Sequence, residues 1–378
     1  MTTRIHPIQC IVPPYMLREI AERGSPRQRE WALRTLAATE QFRGQRQIVA
    51  EIAVLAAPMR AAEKQRIIYD ALNGSNLPGH QVRGEGDPPT GDTAVDEAYD
   101  GSGATYDLYK DVYGRNSIDD SGMRLESTVH YQQGYDNAFW NGYQMVYGDG
   151  DEDLPEAERL FNRFTIAIDI IAHELTHGVT QYEARLRYWD QPGALNESFS
   201  DVLGSLVKQR VLGQTAEEAD WLIGEGLFTA NVNAQGIRSM KAPGTAYDDP
   251  VLGKDPQPAH MRDYKDVDYD NGGVHINSGI PNHAFYIMAK EIGGYAWEKA
   301  GRIWYITLRD KLQPRSSFRD AARLQFQVAG ELFGTESPEQ QAVRKGWSEV
   351  GISIEDKEEE KGCLEALIAL FSPRSAPE

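Results

Sequence analysis

The sequence predicts an α+β fold of two lobes with a cleft between them. Three observations carry that expectation. Residues 67–150 are rich in Gly, Asp, Asn and Tyr, and their short apolar runs alternate as strands do. Helical periodicity takes over from Phe161 to about Val211 and returns over 276–350. A helix around His173 stands where the two characters meet, and so at the junction of the lobes. Within the first lobe the run Met123-Arg124-Leu125-Glu126-Ser127-Thr128-Val129-His130 reads as a strand, and Tyr147-Gly148-Asp149-Gly150 reads as a turn. Residues 212–275 read as loops punctuated by Gly and Pro. Ahead of residue 67, apolar residues recur at helical spacing over about 15–23 (Tyr15, Leu17, Ile20) and 27–42 (Trp31, Leu33, Leu36, Phe42).

Composition sets the class of molecule. The chain has 378 residues, 40% hydrophobic and 25% charged, enough for two domains with a sizeable core. With 39 Lys plus Arg against 57 Asp plus Glu, its formal charge is −18, which disfavours nucleic acid and anionic membrane as partners. Cys10 and Cys363 are the only cysteines, so a disulfide scaffold and an all-cysteine metal site are excluded. No apolar run reaches the ~18 residues of a membrane span. The opening text, Met-Thr-Thr-Arg-Ile-His-Pro-Ile, lacks the apolar core of an ordinary export signal.

The text that carries chemistry is Ile170-Ile171-Ala172-His173-Glu174-Leu175-Thr176-His177. Histidines at i and i+4 lie ~40° apart around a helix, one turn from each other, so both rings can reach one metal ion. Glu174 lies ~100° round from His173, close enough to hold a water on that metal. A catalytic zinc needs a third protein ligand and an open position. Glu197 in Asn196-Glu197-Ser198-Phe199-Ser200-Asp201 offers it, after a gap that fits a helix end, a loop and an antiparallel return. Alone, Glu197 also reads as a first-turn carboxylate beside a capping Asn196; paired with the upstream helix, it reads as a ligand. Asp201, one turn on, can then fix the tautomer of a ligand histidine. A third block, Asp270-Asn271-Gly272-Gly273-Val274-His275, puts His275 after a Gly-Gly turn, with Asp270 able to orient it and favour its cation. Such a cation suits an oxyanion, although His275 also reads as a loop histidine satisfied by local backbone.

With these blocks in hand, residues 67–352 resemble the thermolysin-like zinc metalloproteases; Asn137-Ala138-Phe139-Trp140-Asn141-Gly142, with Met145 to Gly150 after it, is the fourth block in family order. The resemblance implies a two-lobed fold with the zinc helix between a β-rich lobe and a mainly helical one. It implies His173, His177 and Glu197 as ligands of one Zn2+, Glu174 as general base and Asp201 in support of a zinc histidine. Tyr188 and His275 would stabilise the tetrahedral intermediate, with Asp270 orienting His275. Asn137 and Ala138 would hold substrate backbone, and Arg238 the carbonyl on the leaving-group side. Ile170 and Ile237 would line a pocket that prefers a bulky apolar residue after the scissile bond. The implied activity is neutral endopeptidase cleavage on the N-terminal side of such residues. Zinc that lowers a water towards pKa ~7 beside a carboxylate base makes independent chemical sense of it.

The segment Cys10-Ile11-Val12-Pro13-Pro14-Tyr15-Met16-Leu17-Arg18 is similar to the short propeptide of protealysin-type enzymes. The division expected is residues 1–60 as an inhibitory propeptide (ending between 45 and 66), 61–200 as the β-rich lobe with the zinc helix, 201–354 as the helical lobe and 355–378 as an acidic tail. Pro13-Pro14 stiffens an extended segment, useful for lying in the cleft backwards or out of register. The Cys10 thiolate could take zinc's open position in the zymogen; a buried or exposed thiol is the other reading. Family calcium positions are matched by Asp169, Asp220 and Glu225, but Lys208 and Leu222 stand where carboxylates are expected. A paired Ca2+ site is therefore expected to be lost, with a single calcium still open. The tail reads as a solvated linker with a short amphipathic segment, or as a docking element. The partners expected are peptide or protein substrates and the chain's own propeptide, acting on a monomer without nucleic acid or membrane. The location expected is extracellular without a recognisable signal peptide, with the cytoplasm as the alternative. Two other functions compete, a zinc protein without catalysis and a small-molecule esterase or amidase. Glu174, Tyr188 and His275 count against the first, and the peptide-holding residues against the second.

Overall fold

The computed structural model describes residues 9–39 and 63–355. Strand pairing begins where the alternating text supplies apolar and β-branched residues to one face. Six strands form one sheet in the order β1-β5-β6-β4-β2-β3. They are β1 (Gln9–Cys10), β2 (Arg66–Asp70), β3 (His80–Gly84), β4 (Leu125–Val129), β5 (Ala138–Trp140) and β6 (Met145–Tyr147). The run Met123–His130 thus contains β4, which pairs in parallel with both β2 and β6. The β5–β6 hairpin turns at Asn141, whose Oδ1 accepts from the Tyr143 and Gln144 amides at 3.1 and 3.0 Å. The outer side of β5 would be an open edge. It is covered by β1, antiparallel, with Gln9 opposite Trp140 and Cys10 opposite Phe139.

Beyond β1 come α1 (Pro14–Arg23), with Pro14 in its first turn, and α2 (residues 26–39), close to the spans that periodicity predicts. Residues 40–42, the processing boundary and the tail beyond Glu355 lie outside the described residues. The sequence does not anticipate α3 (Thr93–Asp107), a helix inside Gly- and Asp-rich text. Asp92 starts it by accepting from the Ala94 and Val95 amides, a cap worth about 1 kcal/mol, and Ala94, Val95 and Ala98 bury its inner face. Next in sequence, α4 (Ile168–Tyr182) and α5 (Asp190–Leu212) run packed along each other between the lobes. The second lobe adds α6 (Asp270–Asn277), α7 (Gly279–Ile292), α8 (Ala300–Ile306), α9 (Phe318–Phe333) and α10 (Pro338–Glu349). Its core centres on Phe199, Phe285, Trp304 and Trp347. Between α5 and α6 the loops contain a short antiparallel pair, β7 (Leu222–Ile223) with β8 (Arg238–Ser239), which sets Arg238 opposite Ile223.

The candidate calcium residues are met by a tethered cation instead. Lys208 Nζ on α5 lies 2.6 Å from Asp220, 3.0 Å from Glu225 and 3.8 Å from Asp169. Burial pushes the Asp169 carboxyl up to about 6, and the Lys208 charge holds it from rising further. Burial would lower the Lys208 pKa, but the surrounding carboxylates raise it, so the ammonium persists. The geometry is the one expected of a lost paired site: among Asp169, Asp220 and Glu225 a lysine ammonium meets the charges that an ion would otherwise meet. Removing one partner of such a buried group strands the others, so Lys208→Ala is expected to lose about 3–5 kcal/mol in chemical denaturation. Millimolar calcium should leave the wild-type melting temperature in place; a calcium-dependent rise would contradict the assignment.

His130, just after β4, bridges Asp149 Oδ2 through Nδ1 at 2.8 Å and Asp92 Oδ2 through Nε2 at 3.1 Å. The hydrogen bond to Asp149, with Asp92 adding, raises its pKa to about 9 against the opposing effect of burial. A histidine that gains protons on folding stabilises fully below its unfolded pKa of ~6.5 and loses that contribution as pH climbs through 9. Thermal midpoints should therefore fall over that window, and His130→Gln should flatten the fall. An unchanged slope in the variant would refute the bridge.

Candidate active site

Helix α4 is buried from Asp169 to Thr180, so its histidines work in a dry environment. His173 and His177 put their ring centroids 4.6 Å apart at 89°. Helix α5 comes close because Gly204 has no side chain; a Cβ there would lie 2.6 Å from the Asp169 carbonyl oxygen. That approach brings Glu197, Asn196, Ser200 and Asp201 to the rings. His173 Nδ1 donates to Asp201 Oδ1 at 2.8 Å, and His177 Nδ1 to Asn196 Oδ1 at 2.8 Å, with Ser200 Oγ 3.0 Å from the same nitrogen. Both Nε2 lone pairs therefore turn inward, 3.0 Å apart, and Glu197 faces them at 3.5 Å (His173) and 3.4 Å (His177).

These three residues are the group among the described residues whose ligand atoms cluster within 4.8 Å. Electron pairs this close repel unless a cation joins them. The separations match the about 3.3 Å edge of a tetrahedron with the metal–nitrogen and metal–oxygen lengths of zinc. Glu197 Oε2, fully buried, makes no hydrogen bond among the described residues. The donor set fits zinc.

Around this cluster the predicted residues converge. Tyr188 follows α4 in a loop and donates its hydroxyl to Glu197 Oε1, and that hydroxyl is 3.2 Å from His275 Nε2. Burial and the Glu197 charge push its pKa well up, so the phenol stays a donor. His275 is aimed by a left-handed turn at Asp270–Gly273, with φ of 52, 53, 78 and 75°. Asp270 closes the turn: Oδ2 accepts from the His275 amide at 2.9 Å and Oδ1 pairs with Nδ1 at 2.5 Å. Burial alone would lower the His275 pKa, but the Glu197 and Asp270 charges raise it, favouring the imidazolium. Glu174 Oε2 accepts from the Trp140 amide of β5 at 3.0 Å.

Asp201 is shared. Arg238 Nε and Nη2 each reach it at 2.8 Å, and Asn282 Nδ2 adds a third contact at 2.8 Å. Burial would raise the Asp201 pKa, yet the Arg238 charge and the hydrogen bond from His173 hold it far below the usual carboxylate range. Sequence reasoning missed Asn282, the Trp140 amide and Gln257, whose Nε2 holds the His275 carbonyl at 2.8 Å. It read Asn196 only as a cap. Asn196 and Ser200 at i, i+4 were the available signal, since that face adjoins the one carrying Glu197 and Asp201.

The N-terminal segment fills the cleft. Asn137 exchanges two bonds with Val12, accepting from its amide at 2.9 Å and donating to its carbonyl at 3.2 Å. The Ala138 carbonyl accepts from the Ile11 amide at 3.2 Å, Arg238 Nη1 donates to the Ile11 carbonyl at 3.2 Å, and His275 Nε2 lies 3.1 Å from the Cys10 carbonyl oxygen. Ile170 and Ile237 converge beside Gly224, and Ile11 is fully buried. Cys10 does not join the metal ligands: its thiol reaches the Val12 carbonyl at 3.7 Å and packs with Tyr135 and Phe139. Alternation along the strand is the reason, because the carbonyl rather than the side chain faces the histidines.

Family models match nearly the whole chain. Residues 58–181 match the thermolysin metallopeptidase catalytic domain, 184–352 its alpha-helical domain and 9–49 the protealysin propeptide. An extracellular metalloprotease of Pectobacterium carotovorum subsp. carotovorum is 50% identical over 92% of this chain and 97% of its own. A thermolysin of Alicyclobacillus acidocaldarius is 38% identical over 75% of this chain and 50% of its own length. Among solved structures, the precursor of protealysin from Serratia proteamaculans superposes with a TM-score of 0.81 at 52% identity, covering 91% of this chain and all 100% of that one. The chain belongs to the thermolysin family of zinc metallopeptidases and carries a protealysin-type propeptide at its N-terminus.

Proposed function

We propose that the chain is an exported neutral endopeptidase, made latent, that cleaves on the N-terminal side of bulky hydrophobic residues. The observation that carries this reading is the convergence of His173, His177 and Glu197 beside two oxyanion donors, Tyr188 and His275. His173, His177 and Glu197 would hold the zinc, which when bound would supply an acidified water and a Lewis acid for the scissile carbonyl. Glu174, buried beside β5, takes a proton from the attacking water and returns it to the leaving amine. His275, its cation favoured by Asp270, and the Tyr188 hydroxyl meet the negative charge that develops on the carbonyl oxygen. Asp201 fixes the His173 tautomer, and Arg238 fixes Asp201 while reaching a backbone carbonyl in the cleft. Asn137 and Ala138 hold substrate backbone as an added strand, with Ile170 and Ile237 at the pocket. The extracellular naming of two relatives supports export. Residues 1–60, ending between 45 and 66, would be the segment removed on maturation, leaving lobes at 61–200 and 201–354.

Glu174→Gln is expected to cut the rate of peptide hydrolysis by at least about 10³-fold while one zinc per chain remains by elemental analysis. His275→Ala or Tyr188→Phe should each lower kcat by about 10²-fold with little change in KM. Asp201→Asn should weaken zinc binding by about 10–100-fold in a chelator competition. Hydrolysis of protein substrate by Glu174→Gln at the wild-type rate would sink the mechanism.

A further inference from the structure

The backbone contacts of the N-terminal segment identify one particular amide. The oxygen that meets the oxyanion donor is that of Cys10, with His275 Nε2 at 3.1 Å and Tyr188 OH at 3.2 Å from that nitrogen. The carbon bearing that oxygen is joined to the Ile11 nitrogen. On the leaving-group side, Arg238 takes the Ile11 carbonyl, while Asn137 takes both the amide and the carbonyl of Val12. Each group meets the atom that its proposed role assigns to a substrate. Ile11 is fully buried, as a bulky apolar residue after a scissile bond should be. The segment therefore runs in substrate direction and in register. That corrects the expectation of a reversed or displaced strand, because pairing with β5 sets both direction and register.

We propose that the Cys10–Ile11 peptide bond is the enzyme's own first substrate, cut intramolecularly in the precursor. The inference rests on the endopeptidase reading of the site. One water is consumed: its oxygen joins the Cys10 carbonyl carbon as the carbon–nitrogen bond breaks. Glu174 carries both protons of the water in turn to the Ile11 nitrogen, leaving a Cys10 carboxylate and an Ile11 ammonium. The Ala138 carbonyl, which already accepts from this nitrogen, holds the new amine.

The cut does not empty the cleft. Val12 remains on Asn137, Met16, Leu17 and Ile20 remain buried, Thr35 Oγ1 accepts from the Asp136 amide at 3.1 Å, and Gln28 Nε2 donates to the Glu158 carbonyl at 2.7 Å. The product is a precursor that begins at Ile11 and is still latent. Activation then needs a second cut further along the chain.

The test starts from full-length precursor purified with chelator. Zinc is then added, and intact mass and N-terminal sequence are followed over time. The expected first product begins at Ile11, forms with a rate constant unmoved by tenfold dilution, and precedes hydrolysis of added casein. Glu174→Gln should yield none, and Ile11→Ala should slow the cut by about tenfold or more. Hydrogen exchange on the Glu174→Gln precursor gives a readout independent of turnover. The Ile11 and Val12 amides should be protected, and Asn137→Ala should release Val12. Casein hydrolysis without any Ile11 terminus, a cut whose rate scales with concentration, or unprotected Ile11 and Val12 amides would each overturn the proposal and leave the endopeptidase reading standing. If zinc-loaded precursor matured by added protease hydrolyses no protein at all, that reading fails and takes this inference with it.

Discussion

Two imidazole nitrogens 3.0 Å apart, with a carboxylate 3.4–3.5 Å from both, concentrate electron density in a fully buried place. That crowding is the constraint on which the surrounding structure depends. Each ring must present its bare Nε2, so each Nδ1 needs a fixed acceptor; Asp201 and Asn196 supply them from adjoining faces of α5. A buried carboxylate such as Asp201 is costly unless paired, and Arg238 pairs with it through two nitrogens. The same guanidinium still has Nη1 for a backbone carbonyl in the cleft, so metal support and peptide recognition share one side chain.

A similar problem is solved differently some turns away. Around Asp169, Asp220 and Glu225 the carboxylates converge, and there the cation is built into the chain as Lys208. A tethered ammonium answers charge but leaves no open position for a substrate atom or a water. That difference separates a structural solution from a chemical one. Latency follows a third logic: β1 occupies the edge of β5 that a substrate strand would use, so the sheet gains a strand and loses access.

Much of the site was legible in the chain. His173, Glu174 and His177 lie within five residues, and a 3.6-residue turn dictates their relative directions. Glu197 and Asp201 were legible as a pair because they share one helix face. Tyr188 and Arg238 were not, since neither belongs to a periodic run; the family resemblance alone singled them out. Asn282 and Gln257 gave no local signal at all, being brought in from 81 and 18 residues away. The helix Thr93–Asp107 escaped because its Gly, Asp and Ser text resembles a turn, and its burial against the sheet and α4 outweighs that weak propensity.

The sequence by itself picked out His173, Glu174 and His177 on one helix, Glu197 with Asp201 on a second, and the α+β plan, because those depend on periodicity and spacing within single elements. Tertiary structure alone decided which carboxylates the Lys208 ammonium meets, that the Cys10 thiol turns away from the histidines and that Cys10 pairs opposite Phe139 on β5. Those outcomes depend on which strand edge is free and how closely two helices approach. Such long-range contacts leave no periodic trace in the chain.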